Sequence, residues 1–353
     1  MAKLEYDLVT LLTDIVARGG SDLHIIKDIP PLARICGQIG TLPYPPLNHE
    51  GIDQLLEPYL SDQRKKTFED ANCVNFSCTV GNIGRFRFNL YRSMGVPGAT
   101  IRSLPVRTFP LSALGLPPIV GTLAQRRVGI IFVTGPTGSG KSTSMAAMLE
   151  WVNQTGKPGK VITIEDPIET LFKPIKCVFV QREVFLDTPS FQAGTLDSLR
   201  QDPDILAIGE MRDVESMRGA LLAAETGHLV LTTLHTRDAS KTVQRIVRAF
   251  PADEQDSVRE QVANCLEAVI SQELVPRADG KGLVPAVEVL LGTPAVRQLI
   301  RENKLEQIND AIQSGMQAGM ISKDQSLKAL YRTKTITYEA AAERMRNPEI
   351  LKG

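Results

Sequence analysis

Apolar residues Leu4, Leu8, Leu11, Leu12, Ile15 and Val16 recur at three- and four-residue steps, the period of a helix with one buried face, and Gly19-Gly20 ends the run. The period then changes. Residues 21–25 and 32–36 read as short strands around Pro30-Pro31, and Ile52, Leu55, Leu56 and Tyr59 return to helical spacing. Across residues 84–90 the alternation turns Phe86, Phe88 and Leu90 toward a core and Arg85, Arg87 and Asn89 away from it. Gly95-Val96-Pro97-Gly98 is a turn signal, so residues 99–102 return beside that strand and bring Arg102 near Arg87. The N-terminal region reads as α+β.

Pro105, Pro110, Pro117 and Pro118 with Gly115 break regular elements and suit a semi-stiff connector. They divide the chain into a first domain of residues 1–104, a linker of residues 105–118 and a second domain of residues 119–353. In the second, residues 128–133, 161–165, 205–209 and 228–234 are apolar runs separated by helical stretches, the pattern of strands buried in a sheet with helices on both faces. That domain reads as α/β, and 353 residues are enough for two cores.

Composition narrows the function. Lys plus Arg and Asp plus Glu are 40 each, so no net cationic field favours nucleic acid. No apolar run approaches the ~20 residues of a spanning helix, and Met1-Ala-Lys-Leu-Glu-Tyr-Asp lacks a basic region followed by an apolar stretch. The expectation is a cytoplasmic protein, held at a membrane only by a partner. Cys36, Cys73, Cys78, Cys177 and Cys265 contain no Cys-x-x-Cys pair, which points to free thiols rather than disulfides or a zinc site.

Gly135-Pro136-Thr137-Gly138-Ser139-Gly140-Lys141-Ser142 fits the phosphate-loop pattern G-x-x-x-x-G-K-[ST] in full, after an apolar strand and before a helical stretch at residues 143–151. Glycines let backbone N–H groups wrap phosphates at a helix N-terminus. Lys141 supplies charge to the β- and γ-phosphates of ATP, and the Ser142 hydroxyl can ligate Mg²⁺. Such a loop needs carboxylates for the attacking water and the metal. Glu165 and Glu210 each end a strand-like run, and either can serve as general base; Glu169 reads equally as a solvated helix-start acid. His228 and His235, seven apart around a strand, fall on opposite faces and form no metal pair. His235, close to Thr232, Thr233 and Thr236, is a candidate phosphate sensor.

With these residues together, the chain resembles the secretion ATPases of the type II and type IV pilus systems, and within them the retraction motors of the PilT kind. It carries their Walker A loop at residues 135–143 (ending in Thr143), Asp box at 162–169, Walker B at 205–213 and His box at 226–236. The resemblance implies that Glu165 is the general base and that Glu210 acts near Mg²⁺. It makes His228 and His235 the His-box pair and Arg87 and Arg102 the arginine fingers, with Arg85 a lesser candidate. Residues 295–302, Ala-Val-Arg-Gln-Leu-Ile-Arg-Glu, resemble the box that marks retraction motors. On a helix Val296, Leu299 and Ile300 share an apolar face, and Arg297 and Arg301 a basic outer stripe. Extension motors add a four-cysteine module, and here only Cys177 and Cys265 lie in the second domain.

The family further implies a PAS-like N-terminal domain, a RecA-like ATPase core and a homohexameric ring. It implies a PilC-like inner-membrane platform protein and a PilU-like accessory ATPase as partners, and a peripheral position at the inner face of the cytoplasmic membrane. The rival readings are an accessory PilU-like ATPase, a RecA-like nucleic-acid motor, and a non-catalytic switch, the last disfavoured by the coexistence of Lys141, Glu165 and Glu210.

Overall fold

The computed structural model describes residues 5–104 and 108–351; Leu4, Pro105 and Arg107 lie outside them. Two compact units emerge. One contains the described residues up to Leu104 together with Asp166–Leu171, and the other contains Thr108–Glu165 and the chain from Phe172 onward.

In the first unit α1 (Leu8–Ala17) starts where the Asp7 carboxylate accepts from the Thr10 N–H at 2.8 Å. Leu8, Leu11, Leu12 and Ile15 are buried, whereas Val16, expected with them, is 41% exposed because 100° per residue carries it to the rim of that face. Then come β1 (Gly20–Ile25), β2 (Leu32–Ile35) and β3 (Gln38–Thr41). The strand expected over residues 32–36 stops at Ile35, because Cys36 and Gly37 take φ of +48° and +81° and turn the chain into β3. Every residue of β3 is exposed, so no alternation announced it.

After α2 (His49–Leu56), Tyr59 falls in a 3-10 turn rather than in the helix. α3 (Asp62–Ala71), β4 (Cys73–Val80), β5 (Gly84–Ser93) and β6 (Val96–Leu104) complete a six-stranded sheet in the order β3-β2-β1-β6-β5-β4. The turn between β5 and β6 is Met94-Gly95, with φ of +53° and +79°, and not residues 95–98. Two residues at positive φ match the twist of a tight hairpin. Its register sets Arg87 opposite Arg102, with Phe86, Phe88 and Leu90 at most 1% exposed.

The second unit contains α4 (Ile119–Ala124), β7 (Gly129–Thr134), α5 (Lys141–Thr155), β8 (Gly159–Glu165), β9 (Cys177–Glu183), α6 (Phe191–Ser198), β10 (Ile205–Ile208) and α7 (Val214–Glu225). It continues through β11 (Leu229–Leu234), α8 (Ala239–Ala249), α9 (Gln255–Cys265), β12 (Leu266–Pro276) and β13 (Leu283–Leu291). α10 (Pro294–Arg301), α11 (Ile308–Ser314), α12 (Lys323–Arg332) and α13 (Tyr338–Ala342) follow. A seven-stranded sheet runs β13-β12-β7-β11-β10-β8-β9, parallel except for β13.

Every residue of β7, β10 and β11 is buried. Alternate side chains serve two cores: Ile130, Phe132, Leu206 and Val230 pack with α7, α8 and α9, while Ile131, Val133, Ala207 and Leu231 pack with α4 and α5. Burial on both faces is why these strands read as unbroken apolar runs. No helix among the described residues is long and apolar enough to cross a membrane.

The arginines of α10 correct an expectation. Val296 and Ile300 are fully buried, but Arg297 and Arg301 do not form an outer stripe. Arg297 donates to the carbonyls of Gly292 (2.7 Å), Ala263 (2.9 Å) and Asn264 and pairs with Glu267 at 3.0 Å; Arg301 pairs with Glu260 at 2.9 Å and donates to Asn264 Oδ1 at 2.6 Å. The last turn of α9 leaves carbonyls unpaired at the negative end of its dipole, and cations satisfy both. Arg297→Ala should therefore lower stability by about 2–3 kcal/mol, read from urea denaturation, with a smaller loss for Arg301→Ala.

Cys36 and Cys73 are exposed, Cys177 and Cys265 buried, and burial pushes the Cys265 thiol up to about 12. Iodoacetamide at pH 8 should alkylate Cys36 and Cys73 in the folded protein and reach Cys265 only after unfolding, as mass spectrometry of the peptides will show.

Candidate active site

The loop after β7 carries Gly135, Gly138 and Gly140 at φ of +147°, +78° and +85°. At Gly135 a Cβ would stand 2.2 Å from the Gln272 carbonyl oxygen, so no other residue fits there without moving β12. Gly140 precedes α5, whose first N–H groups and dipole favour an anion. Pro136, Thr137 and Gly138 are exposed on the loop, Ser139 is buried, and Ser142 and Thr143 are exposed on the first turn of α5.

Lys141 is 8% exposed, and its ammonium donates to the carbonyls of Gly135 and Pro136, both at 3.0 Å. Burial pushes its pKa below the ordinary lysine value, and the Glu210 carboxylate acts in the opposite direction. The lysine is thus folded back into the loop, where a phosphate can take the place of the two carbonyls.

Two strand-end carboxylates flank the loop's edge of the sheet. Glu165 ends β8 and accepts from Thr163 Oγ1 at 2.6 Å and from Gln181 Nε2 of β9 at 3.2 Å. Glu210 follows β10, pairs with Arg212, and lies 3.5 Å from His235 Nε2. Thr233 Oγ1 donates to the Gly209 carbonyl at 2.6 Å, tying β11 to the Glu210 strand, and Thr236 bonds Thr242 at 2.6 Å. Thr233 thus ties two strands together and Thr236 ties the segment after β11 to α8, while Thr232, expected near His235, is wholly buried in β11.

The histidines separate by ends rather than by faces. β11 covers only Leu229–Leu234, so neither belongs to it. Leu234 pairs with Thr134, so His235 stands at the loop's edge, whereas Leu229 pairs with Gly129 and puts His228 at the opposite end. There His228 Nδ1 donates to the Ala223 carbonyl at 3.0 Å, and the structure does not bring it to the Lys141 and Glu210 group.

Arg87 and Arg102 belong to the first unit. Arg102 Nε pairs with the nearly buried Asp22 at 2.8 Å, and Arg87 lies 3.6 Å from Glu169. Arg85 donates to the Ile168 carbonyl at 2.8 Å and to Ser77. Glu169 is therefore an arginine partner within the Asp166–Leu171 segment of that unit.

Motif reading missed Thr163, Gln181 and Arg212, which orient Glu165 and Glu210, and Gln272 beneath the loop. Gln272 stands between Ser271 and Glu273 in β12, so its polarity alone did not mark it out in the sequence. Among the described residues no group of His, Cys, Asp and Glu could hold a metal without further ligands.

A glycine loop closing on a lysine at a helix N-terminus, with carboxylates at the ends of neighbouring parallel strands, defines a P-loop ATPase. The family described as "Type II/IV secretion system protein" matches residues 82–318, and the chain belongs to that family. It is 42% identical over 343 residues to the type IV pilus retractation ATPase PilT of Pseudomonas aeruginosa, covering 97% of this chain and 99% of the relative. To the type IV pilus ATPase PilU of the same organism it is 38% identical, covering 94% and 86%. A crystal structure of the pilus retraction motor PilT with bound ADP superposes with a TM-score of 0.91 at 42% identity, covering 99% of each chain. The chain is an ATPase of the mixed α/β fold shared by these proteins.

Lys141→Ala removes the loop's cation, and charge-assisted bonds to phosphate contribute roughly 1.5–3 kcal/mol. ADP affinity should fall about 10–100-fold in a fluorescence titration, while the nucleotide-free protein melts no lower, since a desolvated charge has been removed.

Proposed function

We propose that this chain is the ATP-hydrolysing motor of type IV pilus retraction. The observation that carries this reading is the end-to-end similarity to a retraction ATPase, together with an intact set of Lys141, Glu165 and Glu210 on its sheet edge. The first unit serves as a PAS-like domain over residues 1–104, residues 105–118 link it, and residues 119–353 form a RecA-like ATPase domain. The chain works as a homohexamer at the inner face of the cytoplasmic membrane. There it acts on a PilC-like platform protein so that pilins leave the fibre.

In the proposed chemistry residues 135–143 hold the phosphates, and Lys141 neutralises the charge that builds on the β- and γ-oxygens. Glu165, oriented by Thr163 and Gln181, takes the proton of the attacking water. Ser142 and Glu210 would hold Mg²⁺, which supplies Lewis-acid neutralisation of the phosphate oxygens. A site of one hydroxyl and one carboxylate fits an ion that takes the rest of its shell from water and nucleotide, and the Glu210 side chain is 18% exposed. His235 senses the state of Glu210 across their contact; His228, at the far end of β11, takes a positioning role through its bond to the Ala223 carbonyl rather than a part in that contact. Arg87 and Arg102 act as arginine fingers, exchanging Glu169 and Asp22 for the γ-phosphate.

The similarity to PilU favours a second reading, an accessory retraction ATPase that depends on a partner motor. Steady-state hydrolysis, light scattering and twitching rescue separate the two. The motor reading expects hexamers that hydrolyse ATP alone and restore twitching to a strain lacking its retraction ATPase. Glu165→Gln and Arg87→Ala should each lower kcat by about 10²-fold or more without loss of assembly. Absent solo turnover with no rescue would leave the accessory reading.

A further inference from the structure

The underside of the phosphate loop rests on one side chain that no motif assigns. Gln272 of β12 is 4% exposed, a neutral amide buried between Ser271 and Glu273. Its Nε2 donates to the Ser139 carbonyl at 2.6 Å, and its Oε1 accepts from Ser144 Oγ at 2.9 Å. Ser139 lies in the loop and Ser144 in the first turn of α5, so one amide spans the junction between them.

The neighbourhood is closed around it. A Cβ at Gly140 would stand 3.1 Å from Gln272 Nε2, and one at Gly135 would strike the Gln272 carbonyl oxygen. Ser271 Oγ bonds Thr134 Oγ1 at 2.7 Å, fixing β12 to the residue before the loop. We propose that Gln272 is the positioning residue that sets the shape of the phosphate loop, acting on nucleotide affinity through Ser139 and α5.

The physical route is the planarity of one peptide. In a trans peptide the C=O of Ser139 and the N–H of Gly140 point in opposite directions. Drawing the carbonyl onto Gln272 holds the Gly140 N–H on the far side, where a phosphate oxygen can accept it. The Ser144 bond meanwhile fixes the rotation of the helix turn that carries Lys141 and Ser142. Few replacements serve: methionine has the length but neither bond, asparagine is a methylene short, and an ionised glutamate can accept from Ser144 yet has nothing to donate to Ser139.

This rests on the nucleotide-loop assignment, so wild-type ADP binding is the control: if wild type fails to bind ADP, that assignment fails rather than this one. The test measures ADP dissociation constants by fluorescence titration for wild type, Gln272→Met, Gln272→Glu and Ser144→Ala between pH 5.5 and 8.5, with kcat and KM alongside. Gln272→Met should weaken ADP binding and raise KM at least about 10-fold, and Ser144→Ala only a few-fold, because the Ser139 bond survives. Gln272→Glu is the decisive variant. Burial raises its carboxyl pKa into the measured range, so its affinity should be low at pH 8.5 and recover as pH falls and a carboxyl O–H donates to Ser139.

A purely structural role would give Gln272→Glu the same pH profile as wild type, and that result overturns the proposal. So does wild-type affinity in Gln272→Met. Should Gln272→Met not fold, the pH profile of Gln272→Glu decides alone.

Discussion

The chemistry of this protein sits where it does because β7, β10 and β11 are buried on both faces. A parallel strand sandwiched between helices has no solvent-facing side, and a polar side chain left unpaired within it costs roughly 1–3 kcal/mol. Polar function is therefore pushed to the strand ends. The phosphate loop follows β7, Glu165 closes β8, Glu210 follows β10 and His235 follows β11. Three of the buried polar side chains at that edge are held by hydrogen bonds: Thr134 with Ser271, Thr233 with the Gly209 carbonyl, Ser144 with Gln272. Each pair also fixes one strand or loop against its neighbour, so satisfying the hydrogen bonds and aligning the site are the same event.

The charges divide into those locked by burial and those free to exchange. Lys141 and Glu210 interact in a mostly desolvated place, where a field is screened little. In the first unit the Arg102 side chain is 63% exposed and Arg87 36% exposed, although each has a carboxylate partner. The Arg87 pair with Glu169, exposed on both sides, contributes only about 0–1 kcal/mol, whereas Asp22, the partner of Arg102, is only 6% exposed and keeps its arginine more firmly.

How much of this was legible beforehand follows from the kind of signal each feature leaves. The loop from Gly135 to Ser142 is a contiguous string whose glycines answer a local steric demand, and the buried strands are unbroken apolar runs. The pairing of Arg87 with Arg102 came from alternation plus a turn, and register held although the turn itself was misplaced onto residues 95–98. Features made by contacts distant in sequence left little trace. β3 has no buried residue to mark its period, the arginines of α10 bind carbonyls of α9, and Gln181 and Gln272 reach their partners from other strands. His228 and His235 read in the sequence as residues on opposite faces of a strand; in the structure they lie beyond its opposite ends, because β11 is only six residues long.

β12 shows how such distant contacts accumulate at one place. Gln272 reaches the phosphate loop, and the next residue, Glu273, necessarily points to the other face of the strand. There it pairs with Lys323 of α12 and with Arg344 at 3.2 Å. Two residues farther along the C-terminal segment, Arg346 lies 3.3 Å from Asp238, the N-cap of α8 just after His235, and 3.9 Å from Glu288 of β13. Burial holds the Glu288 carboxyl above its ordinary pKa, while its bond from the Ala239 N–H and the Arg346 guanidinium act to lower it. The C-terminal helices are thus fastened by charge to the strand that shapes the phosphate loop and to the turn that follows His235. Residues remote in sequence from every nucleotide motif help to hold the edge on which those motifs act.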